Sequence, residues 1–186
     1  RALPEFKHVR HSGSGPGWDK YLANGSPDGR HFAFNNAHAS LMWFDLAAVP
    51  KPRRTVDTMV NRLDLSSGIC TFRDGLSIAS ANGSYMLLQP GEGDPADGSK
   101  WKTLKLPAAF PGDARRDAIN GIPRSDGKRV VFTGRITRRA ALYDFTDAER
   151  PKLLNAWKFS GNPDIADFHA GKVVIPCGYA GVLMQK

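Results

Sequence analysis

The stretch Asp126-Gly-Lys-Arg-Val-Val-Phe-Thr-Gly134, followed by Ala140-Ala-Leu-Tyr-Asp-Phe145, decides the fold of this chain. Asp-Gly supplies the two positive-φ positions of a type I′ turn, so we expect one strand to end before it and another to begin after it. A short run of apolar residues, rich in valine, follows the turn, and this composition favours a strand. The segment from Ala140 predicts a third strand beyond a short loop. We therefore expect a meander of antiparallel strands.

The same pattern occurs four times along the 186 residues. The turns begin at residues 28, 74, 126 and 170, which gives spacings of 46, 52 and 44 residues. A fourth, more polar strand is predicted at Thr55–Leu63, Trp101–Leu106 and Leu153–Phe159. Four antiparallel strands at this period are typical of a β-propeller blade. The predicted fold is therefore an all-β propeller of about four four-stranded blades, in preference to a β-sandwich or barrel.

The repeat also predicts how the domain is divided. We expect one propeller domain, or the C-terminal part of one, with blades at roughly 18–64, 65–107, 115–160 and 161–186. The fourth copy reaches Lys186 after its third strand, so its outermost strand is expected from residues 3–10 or from a partner. Two arrangements satisfy this, a small closed ring and a portion of a larger propeller. The first residue is Arg1 and not Met, which favours the second.

Two segments carry a resemblance to known repeats. The segment Ala141-Leu-Tyr-Asp-Phe-Thr-Asp-Ala-Glu-Arg-Pro-Lys-Leu-Leu154 resembles LVIVD-type and related bacterial β-propeller repeats, in which an apolar strand ending in Asp leads through a Pro-containing connection into the outermost strand. Ser26-Pro-Asp-Gly-Arg-His-Phe-Ala-Phe34 is similar to a hairpin found across many propeller families. The resemblance implies a propeller blade. It does not imply one activity, because propellers serve as scaffolds, ligand binders and enzymes.

Composition and charge limit the classes of function. Nineteen Gly and 13 Pro indicate many turns, and no apolar run approaches the ~18 residues of a membrane helix. The net charge of +8 predicts attraction to anions. No basic helix and no Cys/His zinc spacing accompany that charge, so we expect no sequence-specific binding of nucleic acid. The sequence leaves the compartment open and favours an exported protein, periplasmic or extracellular.

The loops entering the first strand of each blade and those between its second and third strands are expected to share one face. That face is rich in Arg and Asn, which suits an anionic or carbohydrate ligand because Arg forms paired hydrogen bonds with carboxylates and sulfates. We predict a binding or scaffold module, part of a larger protein or complex. The predicted ligand-binding residues are Asn35, Asn36, Asn82, Arg115, Arg116, Asn120, Arg138 and Asp164.

An enzyme is the alternative, and the sequence leaves this choice open. His38, Tyr179 and Arg135 would serve a lyase acting on an acidic polysaccharide, as acid–base pair and charge neutraliser. Turn chemistry alone also explains Asn and Gly in such loops. We predict no metal centre and no cofactor. The loop Gly91-Glu-Gly-Asp-Pro-Ala-Asp97 is the candidate for a structural calcium ion, although its spacing is not that of an EF-hand.

Overall fold

In the computed structural model of the chain, the described residues form antiparallel sheets and contain no α-helix. The structure describes residues 24–35, 41–45, 65–71, 73–81, 84–91, 100–106, 123–135 and 137–186. Within these ranges no helix has the length and apolar character needed to cross a membrane. The prediction of an all-β chain is confirmed.

The strands form four sheets, numbered here in chain order. Sheets 1 and 2 contain β1 (Asn24–Gly25), β2 (His31–Asn35) and β3 (Leu41–Asp45), then β4 (Leu65–Thr71), β5 (Ser77–Ala81), β6 (Ser84–Gln89) and β7 (Lys102–Lys105). Sheets 3 and 4 contain β8 (Arg124–Ser125), β9 (Arg129–Gly134), β10 (Arg139–Asp144) and β11 (Lys152–Lys158), then β12 (Asp167–His169), β13 (Lys172–Pro176) and β14 (Val182–Met184). β7 and β11 are the fourth strands predicted at 101–106 and 153–159. The one predicted at 55–63 lies outside the described residues.

Within each sheet the strands lie side by side in chain order. The first strands of successive sheets contact each other, β1 with β4, β4 with β8 and β8 with β12. The first strands of successive sheets therefore lie next to one another, and in sheet 1 the second strand β2 contacts β4 as well.

The two central strands of sheet 3, β9 and β10, are buried on both faces, and their side chains alternate between two cores. From β9, Val130 and Phe132 pack toward sheet 2, whereas Val131 packs toward sheet 4. β10 alternates in the same way, because side chains of a strand point to opposite faces in turn. The core between sheets 2 and 3 contains Leu76, Ile78, Tyr85, Leu87, Leu106, Val130, Phe132, Ala141, Tyr143 and Phe145. The core between sheets 3 and 4 contains Val131, Ala140, Leu142, Ala166, Val173, Ile175 and Cys177.

Arginines at the hairpin end of the sheets join one sheet to the next. Arg73 Nη2 donates to the carbonyl oxygens of Phe145 and Thr146 at 2.6 and 2.5 Å, which ties sheet 2 to sheet 3. Arg129 Nη2 donates to the Gly171 carbonyl at 2.7 Å, which ties sheet 3 to sheet 4. These charge-assisted bonds to backbone carbonyls fix neighbouring sheets at the end where the turns lie.

The type I′ turn prediction is wrong at Asp28-Gly29, Asp74-Gly75 and Asp126-Gly127. Among the described residues, Arg138 and Ala170 are the non-glycine residues with positive φ, so none of these three aspartates has it. Side-chain bonding is the physical reason at two of the sites. Asp126 Oδ1 accepts the N–H groups of Lys128 and Arg129 at 3.1 and 2.7 Å, and Asp28 Oδ1 accepts that of Arg30 at 2.9 Å.

At the second site, Arg73–Gly75 forms a 3-10 helix in place of the turn. The fourth copy does adopt the predicted geometry. Ala170 and Gly171 have φ of 47° and 76°, and the His169–Lys172 pair closes the hairpin around them.

We predict that Phe132→Ala lowers the free energy of unfolding by about 3–5 kcal/mol, as measured by urea denaturation. The Phe132 ring is 2% exposed and lies 4.5 Å from the Tyr85 ring and 5.8 Å from the Tyr143 ring, so truncation leaves a cavity between two sheets. Leu153→Ala on the outer strand β11 is the control, because that side chain is 43% exposed. We expect a change within about 0.5 kcal/mol there. Equal losses in both variants would contradict packing between the sheets.

Candidate functional site

Three loops of sheets 3 and 4 meet at the end opposite the arginine ties and enclose a pocket of about 610 Å³. They are the β9–β10 loop, the β11–β12 loop and the β13–β14 loop. The lining residues are Arg135, Arg138, Ser160, Gly161, Asn162, Asp164, Pro176, Gly178, Tyr179 and Ala180. A pocket of this size is in the range that proteins use for small molecules.

The β9–β10 loop contributes two arginines and is held to the β11–β12 loop through its backbone. The carbonyl of Arg138 accepts the Phe159 N–H at 2.8 Å, and Arg138 Nη1 donates to the Ser160 carbonyl at 3.4 Å. Arg138 has φ of 55°, a left-handed conformation that side-chain-bearing residues rarely adopt. The Thr137 hydroxyl donates to the Gly134 carbonyl at 3.2 Å and closes the loop. One backbone hydrogen bond and two side-chain hydrogen bonds therefore hold this wall of the pocket.

A second part of the pocket lining depends on a close approach at Gly161. A Cβ placed on Gly161 would lie 2.2 Å from the Cys177 carbonyl oxygen and 2.9 Å from the Ala180 Cβ. Cys177 begins the short 3-10 helix Gly178–Ala180, which carries Tyr179 into the pocket. Only glycine permits this contact.

The side chains that line the pocket differ in how many hydrogen bonds they already make within the protein. Arg135 is exposed, and its guanidinium makes no hydrogen bond or ion pair with any residue that the structure describes. Asp164 Oδ1 accepts the N–H of Ile165 at 2.9 Å, and the Asp164 N–H donates to the Pro176 carbonyl at 2.8 Å. Tyr179 is fully exposed. The pocket thus offers the unpaired guanidinium of Arg135, the second carboxylate oxygen of Asp164 and the aromatic ring of Tyr179.

Four predicted residues are brought together here, namely Arg135, Arg138, Asp164 and Tyr179. Asn35 ends β2, and nothing is described of its side chain. The remaining predicted residues lie outside the described residues: Asn36, His38, Asn82, Arg115, Arg116 and Asn120. A binding role for any of these eleven residues stays a prediction.

Sequence reasoning missed Gly161 as a determinant of the pocket. Its signal was present in the run Ser160-Gly-Asn-Pro163, where a glycine lies three positions beyond the end of the fourth strand β11. A glycine in such a position marks either a turn or a close backbone approach. The sequence does not distinguish the two, because the contacted Cys177 carbonyl is 16 positions away in the chain.

A second pocket, of about 540 Å³, lies at the hairpin end. It is lined by Arg73, Asp126, Gly127, Lys128, Arg129, Asp144, Thr146 and Leu154. Its charged groups are largely paired within the protein, since Arg129 Nε donates to Asp126 Oδ2 at 2.7 Å. Burial raises the pKa of Asp126, but the hydrogen bonds from Arg129 and Lys128 outweigh it and hold that pKa below the usual value. This pocket therefore has little unsatisfied charge to offer a ligand.

No metal centre emerges among the residues that the structure describes. Within them, no group of three or more His, Cys, Asp or Glu side chains is arranged to hold an ion. Of the candidate calcium loop 91–97, only Gly91 is described. Cys177 is a buried free thiol, and burial raises its pKa.

Solved structures with a similar fold are β-propeller proteins. Hydrazine synthase from Kuenenia stuttgartiensis matches with a TM-score of 0.53 and 14% identity, over 88% of this chain and 57% of that one. BamB from Moraxella catarrhalis matches with a TM-score of 0.50 and 9% identity, over 83% of this chain and 40% of that one. The dihydro-heme d1 dehydrogenase NirN, in complex with DHE, matches with a TM-score of 0.51 and 14% identity, over 90% of this chain and 35% of that one.

These similarities confirm the predicted β-propeller fold. At such low identity they show the fold alone. The chain spans between about a third and three-fifths of the proteins that it matches. No protein-family profile matches the sequence, and no curated protein matches it.

We predict that Gly161→Ala destabilises the protein by about 1–3 kcal/mol, because the added methyl group forces the turn at Gly178–Ala180 to move. Urea denaturation measures the loss, and shifts of the backbone NMR signals of residues 178–181 report the displacement. Ser160→Ala is the control, since it alters an exposed side chain of the same loop. An unperturbed turn in Gly161→Ala would show that the close contact is not required.

Proposed function

We propose that the chain is a β-propeller binding module whose loop pocket takes an anionic or carbohydrate ligand. The observation that carries this proposal is the convergence of Arg135, Arg138, Asp164 and Tyr179, from three separate loops, on one pocket. Arg135 presents its fork of N–H donors without an internal partner among the described residues, and that fork fits a carboxylate or sulfate.

The backbone at Arg138 supports the same proposal. Its positive φ is a position where glycine or asparagine is ordinarily found, and a side chain there costs on the order of 1 kcal/mol. The chain nonetheless has an arginine at this point, at the edge of the pocket and beside Arg135. The net charge of +8 adds a long-range attraction of anions to the chain as a whole.

We predict that Arg135→Gln weakens binding of an acidic sugar by about ten- to a hundredfold, because one charge-assisted hydrogen bond is lost. The probe is glucuronate, with polygalacturonate as a multivalent form, and titration calorimetry measures the affinity. Arg150→Gln is the matched control. It removes the same charge from an exposed surface position outside the pocket.

Two outcomes would overturn this proposal. Equal losses in Arg135→Gln and Arg150→Gln would show that net charge alone attracts the anion. An ultraviolet-absorbing unsaturated product from polygalacturonate would instead support the lyase alternative, in which Arg135 and Tyr179 act with His38. We expect the polysaccharide to be recovered unchanged.

We further propose that the propeller consists of blades at roughly 18–64, 65–107, 115–160 and 161–186, that it resembles LVIVD-type repeats, and that it belongs to a larger protein or complex. Sheets 2 and 3 each have a fourth strand, whereas no described strand pairs with the outer edge of β14. Val182 and Met184 on this strand are 68% and 58% exposed. We propose that residues 3–10 supply the strand that covers them.

The hydrogen-bond pattern of β14 makes this proposal testable at single amides. Gln185 N–H donates to the Val173 carbonyl and Cys177 N–H to the Gly181 carbonyl, at 2.9 and 2.7 Å. Bonding alternates along an antiparallel strand, so the N–H groups of Val182 and Met184 point to the outer edge and that of Leu183 points to β13.

We predict slow hydrogen exchange at the amides of Val182 and Met184 in the full chain, and fast exchange after removal of residues 1–10. The Leu183 amide, bonded within the sheet, is the internal control and stays slow in both. Fast exchange at Val182 in the full chain would contradict a covering strand. Protection that persists in the truncated chain and grows with protein concentration would assign the strand to a partner.

A further inference from the structure

We infer that the loop pocket selects a ring-shaped hydroxylated carboxylate, a sugar acid with a single acidic group, and holds it in one orientation. This inference rests on the proposed anion-binding function and deepens it. The acidic group would lie toward the β9–β10 loop and the hydroxyl groups toward the β11–β12 loop. The charges of the two walls carry the argument.

The two walls have opposite character. Arg135 and Arg138 both come from the β9–β10 loop, whereas Asp164 and Asn162 come from the β11–β12 loop. A ligand with acidic groups at both ends would place one of them against the Asp164 carboxylate, which repels it. A ligand with one acid and no other polar group would make no use of the exposed Asp164 carboxylate. The arrangement therefore favours a molecule that is acidic at one end and polar but uncharged at the other.

The second wall is matched to hydroxyl groups in particular. Asp164 uses Oδ1 to accept the Ile165 N–H, and its Oδ2 makes no hydrogen bond within the described residues. Beside it, Asn162 supplies an amide that donates as well as accepts. A sugar hydroxyl donates to the Asp164 carboxylate and accepts from the Asn162 NH2 group, whereas an ammonium group uses only the acceptor oxygens of these two side chains and leaves the Asn162 NH2 group unused.

Tyr179 adds a preference for a ring. Its side chain is fully exposed at the pocket and is carried by a turn that Gly161 holds in place. An aromatic ring in such a position offers an apolar face, against which the C–H face of a sugar ring packs.

Asp164→Asn is the decisive variant. Asparagine keeps the oxygen that accepts the Ile165 N–H but replaces Oδ2 with a donor, so the turn is retained while the hydroxyl loses its acceptor. We expect the affinity for glucuronate to fall about tenfold relative to acetate. The affinity for glucarate, which has a carboxylate at each end, should rise, because the opposing charge is gone.

Asp167→Asn is the matched control. Asp167 likewise accepts the N–H of the next residue, Phe168, at 2.8 Å, but it lies outside the pocket. Titration calorimetry with glucuronate, glucose, acetate, glucarate and β-alanine, on both variants and the parent chain, gives the full comparison. The parent chain should bind glucuronate most tightly of the five.

The outcomes separate this inference from the proposed function. Equal behaviour of Asp164→Asn and Asp167→Asn, with Arg135→Gln still impaired, would overturn the sugar-acid inference and leave the anion site standing. Tightest binding of β-alanine would overturn it in favour of a ligand with an ammonium group. Absence of binding for all three acidic probes (glucuronate, acetate and glucarate) would overturn both proposals.

Discussion

Two-sided burial of β9 and β10, the central strands of sheet 3, is the constraint on which the described structure depends. In β9 and β10, successive side chains enter different cores, so each strand is apolar throughout its middle and not at alternate positions. A one-residue shift in register would exchange the two cores and place Phe132 where Val131 fits. The turn and the loop on either side of β9 must therefore have fixed lengths.

For β9 and β10 that constraint places the charged side chains at or beyond the strand ends, and the two ends differ in the role of these side chains. At the hairpin end, Arg73 and Arg129 donate hydrogen bonds to carbonyls of the following sheet, so their guanidinium groups hold the sheets together. At the loop end, Arg135 is exposed and its guanidinium makes no such bond within the described part of the chain. The same residue type thus has a structural role at one end and is free for a ligand at the other.

Much of this organisation could be predicted from the sequence, because it follows from patterns of short range. Apolar runs of five or six residues between Gly-containing turns predicted the strands, and their period predicted the propeller. The turn conformations at Asp28 and Asp126 could not be predicted from the Asp-Gly pair alone. There the aspartate side chain accepts backbone N–H groups, and this local bonding competes with the type I′ geometry.

The loop end shows the limits of prediction most clearly. Strand order predicted that loops of neighbouring sheets would share a face, and this brought Arg135, Asp164 and Tyr179 into one set. The close approach of Gly161 to Cys177 depends on the packing of two sheets, which no local pattern contains. Side-chain direction at the 135–138 loop likewise depends on the left-handed backbone of Arg138.

The geometry also bears on whether such loops contain functional residues or only turn-forming ones. Gly161 is explained by packing and Gly178, with φ of 56°, by the backbone, so neither is evidence for a ligand. Arg138 differs from these glycines, because its backbone conformation favours glycine and therefore does not explain why the chain has an arginine there. Arg135 is different as well, since no contact within the described structure requires its charge. The residues that the turns do not need are the ones on which a binding role can rest. In this pocket Arg135 is such a residue, whereas the Arg138 guanidinium also donates to the Ser160 carbonyl.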